Sequence, residues 1–161
     1  VAARIFAPAK WSGAGAPEIE SIAYTAAQTF KKGEVVQLDG TAGTVVVCTA
    51  NPQAVYGIAL EDAASKPGNS MGHSGKVKQV TGGNVGEVSV ARANPSTIFS
   101  GLGTSAAAIT QIGTDYGLAV ASNVWTINNA EESTVSVIIV DVNVTENIQF
   151  FKFLTAVLEL P

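Results

Sequence analysis

Few residues in this sequence have the chemical reach for catalysis: one histidine, one cysteine and thirteen carboxylates. His73 stands in Asn69-Ser70-Met71-Gly72-His73-Ser74-Gly75, and a serine activated by that imidazole would perform acyl transfer. Such a site needs an orienting carboxylate and a strained turn beneath the nucleophile. Gly72-His73-Ser74-Gly75-Lys76 carries lysine where the hydrolase elbow has its last glycine, so a solvated loop is expected instead. Cys48, in Val45-Val46-Val47-Cys48-Thr49, reads as a small buried hydrophobe with no cationic neighbour to make it a thiolate. As the only cysteine it forms no intrachain disulfide, and a reducing compartment is expected.

Metal and phosphate chemistry fare no better. One histidine and one cysteine about 25 residues apart do not make a zinc site. Asp39, Glu61, Asp62 and Asp115 lack the alternating spacing of a calcium loop. Thr81-Gly82-Gly83-Asn84-Val85-Gly86 lacks the first glycine of a dinucleotide fingerprint and runs into a strand rather than a helix. The adjacent pairs Glu61-Asp62 and Glu131-Glu132 would face opposite sides of a strand, which does not suit acid-base work. Asn143-Val144-Thr145 fits a glycosylation pattern, incidental without an export signal. The expectation is a protein that is not an enzyme and holds no cofactor and no metal.

Composition points toward association. Of 161 residues, 47% are hydrophobic and only 14% charged, against roughly a quarter charged in an average soluble domain. The surface must therefore be largely Gly, Ser, Thr, Asn and Ala, which partners can cover at little desolvation cost. Nine cations face thirteen acids for a net charge of −4, and the cations are scattered, with only Lys31-Lys32 adjacent and Lys76 and Lys78 spaced for one strand face. No stripe exists for a phosphate backbone, so direct nucleic-acid binding is not expected. Residues 1–8 show no apolar core of the signal-peptide kind. No run approaches the roughly 18 apolar residues of a membrane span, so neither export nor membrane insertion is expected.

The elements follow from patterning. Residues 1–28 spread Ile5, Phe6, Trp11, Ile19, Ile22 and Tyr24 among Pro8, Pro17 and the tract Ser12-Gly13-Ala14-Gly15-Ala16, with no sustained period. This reads as an extended N-terminal arm that docks on a neighbouring surface through those six side chains, or else as a segment packed on its own core. If it is a docking arm, deleting residues 1–24 abolishes docking and leaves folding intact.

From residue 29 to 161 the chain reads as one β-domain. Its strand candidates are 34–38, 44–49, 55–60, 76–80, 87–91, 117–121, 124–127, 134–144 and 148–158. Hairpins are expected through Asp39-Gly40-Thr41-Ala42-Gly43, Thr81-Gly82-Gly83-Asn84, Ser122-Asn123 and Thr145-Glu146-Asn147. The run from Val135 to Val144 is apolar on both faces only near Ile138-Ile139, which predicts a doubly buried strand or a bulge. Residues 104–112 alone resemble a helix, of two or three turns with Thr104 or Ser105 able to cap it, and read equally as loop.

Lys32-Gly33-Glu34-Val35-Val36-Gln37-Leu38-Asp39-Gly40, then Val55-Tyr56-Gly57-Ile58-Ala59-Leu60-Glu61-Asp62-Ala63-Ala64, and later Gly86-Glu87-Val88-Ser89-Val90-Ala91, resemble the head-decoration (cement) proteins of tailed phages. In that group a Gly-x-Val-Val strand, a Gly-Ile/Val-Ala strand with a small-residue loop, and a Gly-plus-Val strand recur. The resemblance covers residues 30–91, and the C-terminal half is extra. It implies an all-β fold, a small β-barrel or β-tulip-like sandwich, usually a homotrimer. It also implies a place on the outer capsid surface of the virion after synthesis in the host cytoplasm, bridging copies of the major capsid protein. Each buried Trp, Phe or Ile of a docking arm would then contribute about 1.5–3 kcal/mol, and three linked arms would add avidity. A different class, a receptor- or carbohydrate-binding β-module of a phage tail or adhesin, would need an exposed aromatic platform. Only Trp11, Trp125 and the three tyrosines could supply it, and Trp125 in Val124-Trp125-Thr126-Ile127 reads as core.

Overall fold

Short β-branched runs cut by glycine and asparagine give strands along most of this chain. A computed structural model describes residues 5–9, 17–25, 27–40, 43–63, 78–80 and 83–159, and thirteen strands lie among them. They are β1 (Ala7–Ala9), β2 (Ile19–Ala23), β3 (Val35–Asp39), β4 (Thr44–Val47), β5 (Gly57–Ala59), β6 (Lys78–Val80), β7 (Gly83–Val85), β8 (Glu87–Arg92), β9 (Ile98–Gly101), β10 (Asp115–Ala121), β11 (Val124–Asn128), β12 (Val137–Asn143) and β13 (Ile148–Phe153). Of the helix or loop read over residues 104–112, loop is what forms, with one 3-10 turn, Ile109–Gln111. The N–H groups of Ser105, Ala107 and Ala108 donate to side-chain oxygens of Asn129, Asn147 and Gln111 at 3.1, 2.7 and 2.9 Å and fix the segment in that form.

Two antiparallel sheets pack as a sandwich, in the orders β1-β9-β13-β12-β10-β11 and β2-β8-β5-β3-β4, and β6 pairs with β7 apart from them. The all-β expectation holds, and of the two forms considered the sandwich is the one present. Phe99, Leu118, Val137, Ile139, Phe151 and Phe153 of the larger sheet share a core with Val35, Ile58 and Ala91 of the smaller. The next residues along the smaller sheet, Val36, Ala59, Val88 and Val90, point the other way into a second core with Tyr24, Phe30 and Tyr56. That sheet is thus buried on both faces, and all six residues of β8 are buried.

The second core lies in the hollow of a curled sheet. A single parallel bridge, Tyr24 to Val45, brings the end of β2 against β4, where Thr25 N–H donates to Val45 O at 3.0 Å. The larger sheet curls likewise: beyond β9, Gly103 bridges Ile127 of β11. One bridge in each case is a contact between edges and not a ladder, so neither sheet is a closed barrel.

The hairpins β3–β4, β10–β11 and β12–β13 form where turn residues predict them. Ser122 and Asn123 both take positive φ (49° and 64°), as a two-residue reversal requires. The hairpin expected between strands 76–80 and 87–91 is replaced by other pairings: β6 pairs with β7, and β8 is taken on its two edges by β2 and β5. In β12 the register shifts between Ile139 and Asp141, the bulge allowed by the sequence. It turns Val142 toward the same core as Val137 and Ile139. Glu34, buried at the start of β3, accepts from Lys31 N (2.7 Å) and Asn123 Nδ2 (2.9 Å), tying the smaller sheet to the β10–β11 turn.

Candidate functional site

The six apolar residues of the N-terminal segment have separate fates. Phe6 is fully buried, its ring 4.8 Å from that of Phe151. Gly101 and Gly33 make room for Phe6 and Ile5 respectively, since a Cβ on either glycine would collide with the side chain above it. Tyr24 is buried edge-on to Phe30 at 6.0 Å, and Ile22 packs partly buried on the same core. Ile19 is 57% exposed. Trp11 lies outside the described residues. Of the two readings of this segment, packing on its own domain is what residues 5–9 and 17–25 do. β1 extends one sheet at β9 and β2 the other at β8. The physical reason is the edge of β8: every side chain on it is buried, so its open N–H and C=O groups need a strand beside them.

Sequence reasoning missed one buried polar constellation. Arg92, its side chain 9% exposed, donates from Nη1 to Glu20 Oε2 at 2.9 Å and from Nη2 to Glu159 O at 3.4 Å. Its guanidinium lies 3.9 Å from the centroid of the Tyr56 ring. Tyr56 Oη donates to the same Glu20 oxygen at 2.5 Å, and Glu159 Oε2 accepts from Leu38 N at 2.7 Å. Three segments far apart in sequence, residues 17–25, the central strands and residues 158–159, are joined here. A signal for it did exist. Glu20 shares a strand face with Ile22, and Arg92 continues the row Val88, Val90, so each charge interrupts an apolar row on adjacent strands.

This cluster is a staple and not an acid-base pair. Burial, then the hydrogen bond to Glu20, pushes the Tyr56 hydroxyl up to about 12, against the pull of the Arg92 charge. Its proton is therefore held more tightly folded than unfolded. The stability this confers is fully present below the ordinary tyrosine value near 10 and is lost as pH rises toward 12. The unfolding midpoint should fall across that window, and fall less in Tyr56→Phe; equal alkaline falls in both proteins would contradict it. Burial, with the Glu159 carboxylate next, also raises the Cys48 thiol, which makes it a poor nucleophile.

His73 lies outside the described residues. Among the described residues no three His, Cys, Asp or Glu side chains are grouped to hold a metal, and no helix is long and apolar enough to cross a membrane. Trp125, Tyr24, Tyr56 and Tyr116 are all 6% exposed or less. The exposed large apolar residues are Ile19, Val47, Ile109, Ile112 and Val144. No family model matches the chain, and neither the curated proteins nor the solved structures hold a match to it.

Proposed function

We propose that this chain is a non-enzymatic structural protein of a phage virion. It acts as a homotrimer that decorates the outer capsid surface and stabilises it by binding between major capsid proteins. The observation that carries this reading is the placement of the segments that resemble the decoration proteins. Residues 32–40, 55–63 and 86–91 are separated in sequence, yet supply β3, β5 and β8, side by side in one curled sheet. The segments that carry the resemblance thus fall in a single sheet, to which the C-terminal half, together with β1, adds the second. The weakly charged composition and the isoleucines left exposed suit a protein that works by being covered.

Burial of Trp125 and the three tyrosines weighs against the carbohydrate-binding alternative, because sugar platforms need an open ring face. Trp11, the other side chain that could supply one, lies outside the described residues. Co-sedimentation with purified expanded phage shells tests the proposal. Saturable pelleting, with a solution mass of three chains, is expected. A strict monomer that stays in the supernatant at molar excess over shell subunits would sink it.

A further inference from the structure

Residues 93–114 contain no charged side chain, and beyond Arg92 the chain carries one cation, Lys152, against six carboxylates. Within this stretch β9 leads through residues 102–108 to the 3-10 turn Ile109–Gln111, which packs against β12. Ala107 N–H donates to Asn147 Oδ1 at 2.7 Å, in the turn that follows β12 and begins at Val144. Ile109, Ile112 and Val144 therefore stand at one end of the larger sheet, and they are 73%, 43% and 55% exposed.

The segment that carries the two isoleucines is held in place by amide side chains. Gln111 Nε2 donates to Ser105 Oγ (3.0 Å) and Ala106 O (3.1 Å). Gln149, fully buried, accepts from Asn129 Nδ2 (3.1 Å) and donates to Ser105 O (3.3 Å). Two of these amides, Gln111 and Gln149, are themselves buried beneath the exposed apolar turn. Apolar groups fixed in advance lose little conformational entropy on meeting a partner.

We propose that this end of the larger sheet is a protein-docking face, and that its partner presents an apolar centre rimmed by lysine or arginine. Charge selects the occupant. Asp115 opens β10 directly after this segment, Asp141 lies in β12 and Glu146 in the turn that follows it, so the elements adjoining these apolar residues carry carboxylates. A second copy docking here in a symmetric pair would set like charges against one another, which is unfavourable, whereas a cationic rim is attracted. The inference does not depend on the partner being a capsid. It also assigns docking to residues outside the N-terminal segment.

A titration of the isotopically labelled full chain with an amphipathic helical peptide of leucine and lysine tests it by NMR. Saturable shifts confined to residues 104–112 and 143–147 are expected. Affinity should drop by about tenfold or more in Ile109→Ser/Ile112→Ser and weaken as salt rises from about 0.05 to 0.5 M. Both positions are exposed, so an unchanged unfolding midpoint shows that the variant folds. Absence of binding, shifts elsewhere, or equal affinity in the variant would overturn the proposal. So would a concentration-dependent mass that the same two substitutions abolish, since a second copy would then be the occupant.

Discussion

Removal of residues 1–24 is expected to unfold this protein, not merely to release it from a partner. The deletion takes away β1 and β2, exposing the edges of β9 and of the fully buried β8. Phe6, which has no exposed surface to speak of, leaves a hole against Phe151 above Gly101. That loss alone costs about 3–5 kcal/mol. Tyr24 leaves the second core, and Glu20 leaves Arg92 behind in it. Set against a total stability of about 5–15 kcal/mol for a domain of this kind, the sum exhausts most of what holds the fold. Thermal unfolding followed by circular dichroism should show no cooperative transition in the truncated chain. A cooperative melt within a few degrees of the intact protein would mean that the segment is a detachable arm after all.

The second large effect is expected from Glu20→Ala, about 2–3 kcal/mol of destabilisation by denaturant unfolding. Stranding a buried charge costs about 3–5 kcal/mol where water is excluded. The Glu20 side chain is 43% exposed, so solvent reaches the stranded guanidinium and lowers that figure. What remains for Arg92 is the Tyr56 ring and one long hydrogen bond to Glu159 O. The companion variant Glu20→Ala/Arg92→Met removes the charge together with its partner and fills the space over Tyr56 with an apolar chain. It should be more stable than Glu20→Ala alone. Additive losses, with the double variant the weaker, would show that Glu20 and Arg92 do not act as a pair.

These expectations mark where local pattern stops informing. Alternation and turn residues reveal β3, β4, β10 and β11 because each pair is a hairpin, and its partners are a few residues away. The same signal marks β8 and its neighbour β5 but not its other neighbour, β2. β2 joins it from about 70 residues upstream, and no local rule expresses that pairing. β2 itself stays hidden because Glu20 occupies an inward position, which breaks the apolar alternation until Arg92 is seen to meet it. β1, with Pro8 at its middle, is a strand only by virtue of β9 beside it. The exposed pair Ile109 and Ile112 lies in a stretch whose composition reads as helix or loop. Side chains of Asn129 and Asn147, far along the chain, bind the N–H groups of Ser105 and Ala107 there, and local spacing does not express those contacts. For function the residue types and spacings offer only an expectation, since they assemble no recognisable site of catalytic type.

The measurement that tests the central proposal most directly is the temperature at which expanded phage shells, stripped of decoration protein, release their DNA. It should be read with and without saturating amounts of this chain. A protein that bridges major capsid proteins raises that temperature, and the rise saturates as the binding sites fill. If shells release DNA at the same temperature whether the protein is present or not, it does not stabilise a capsid.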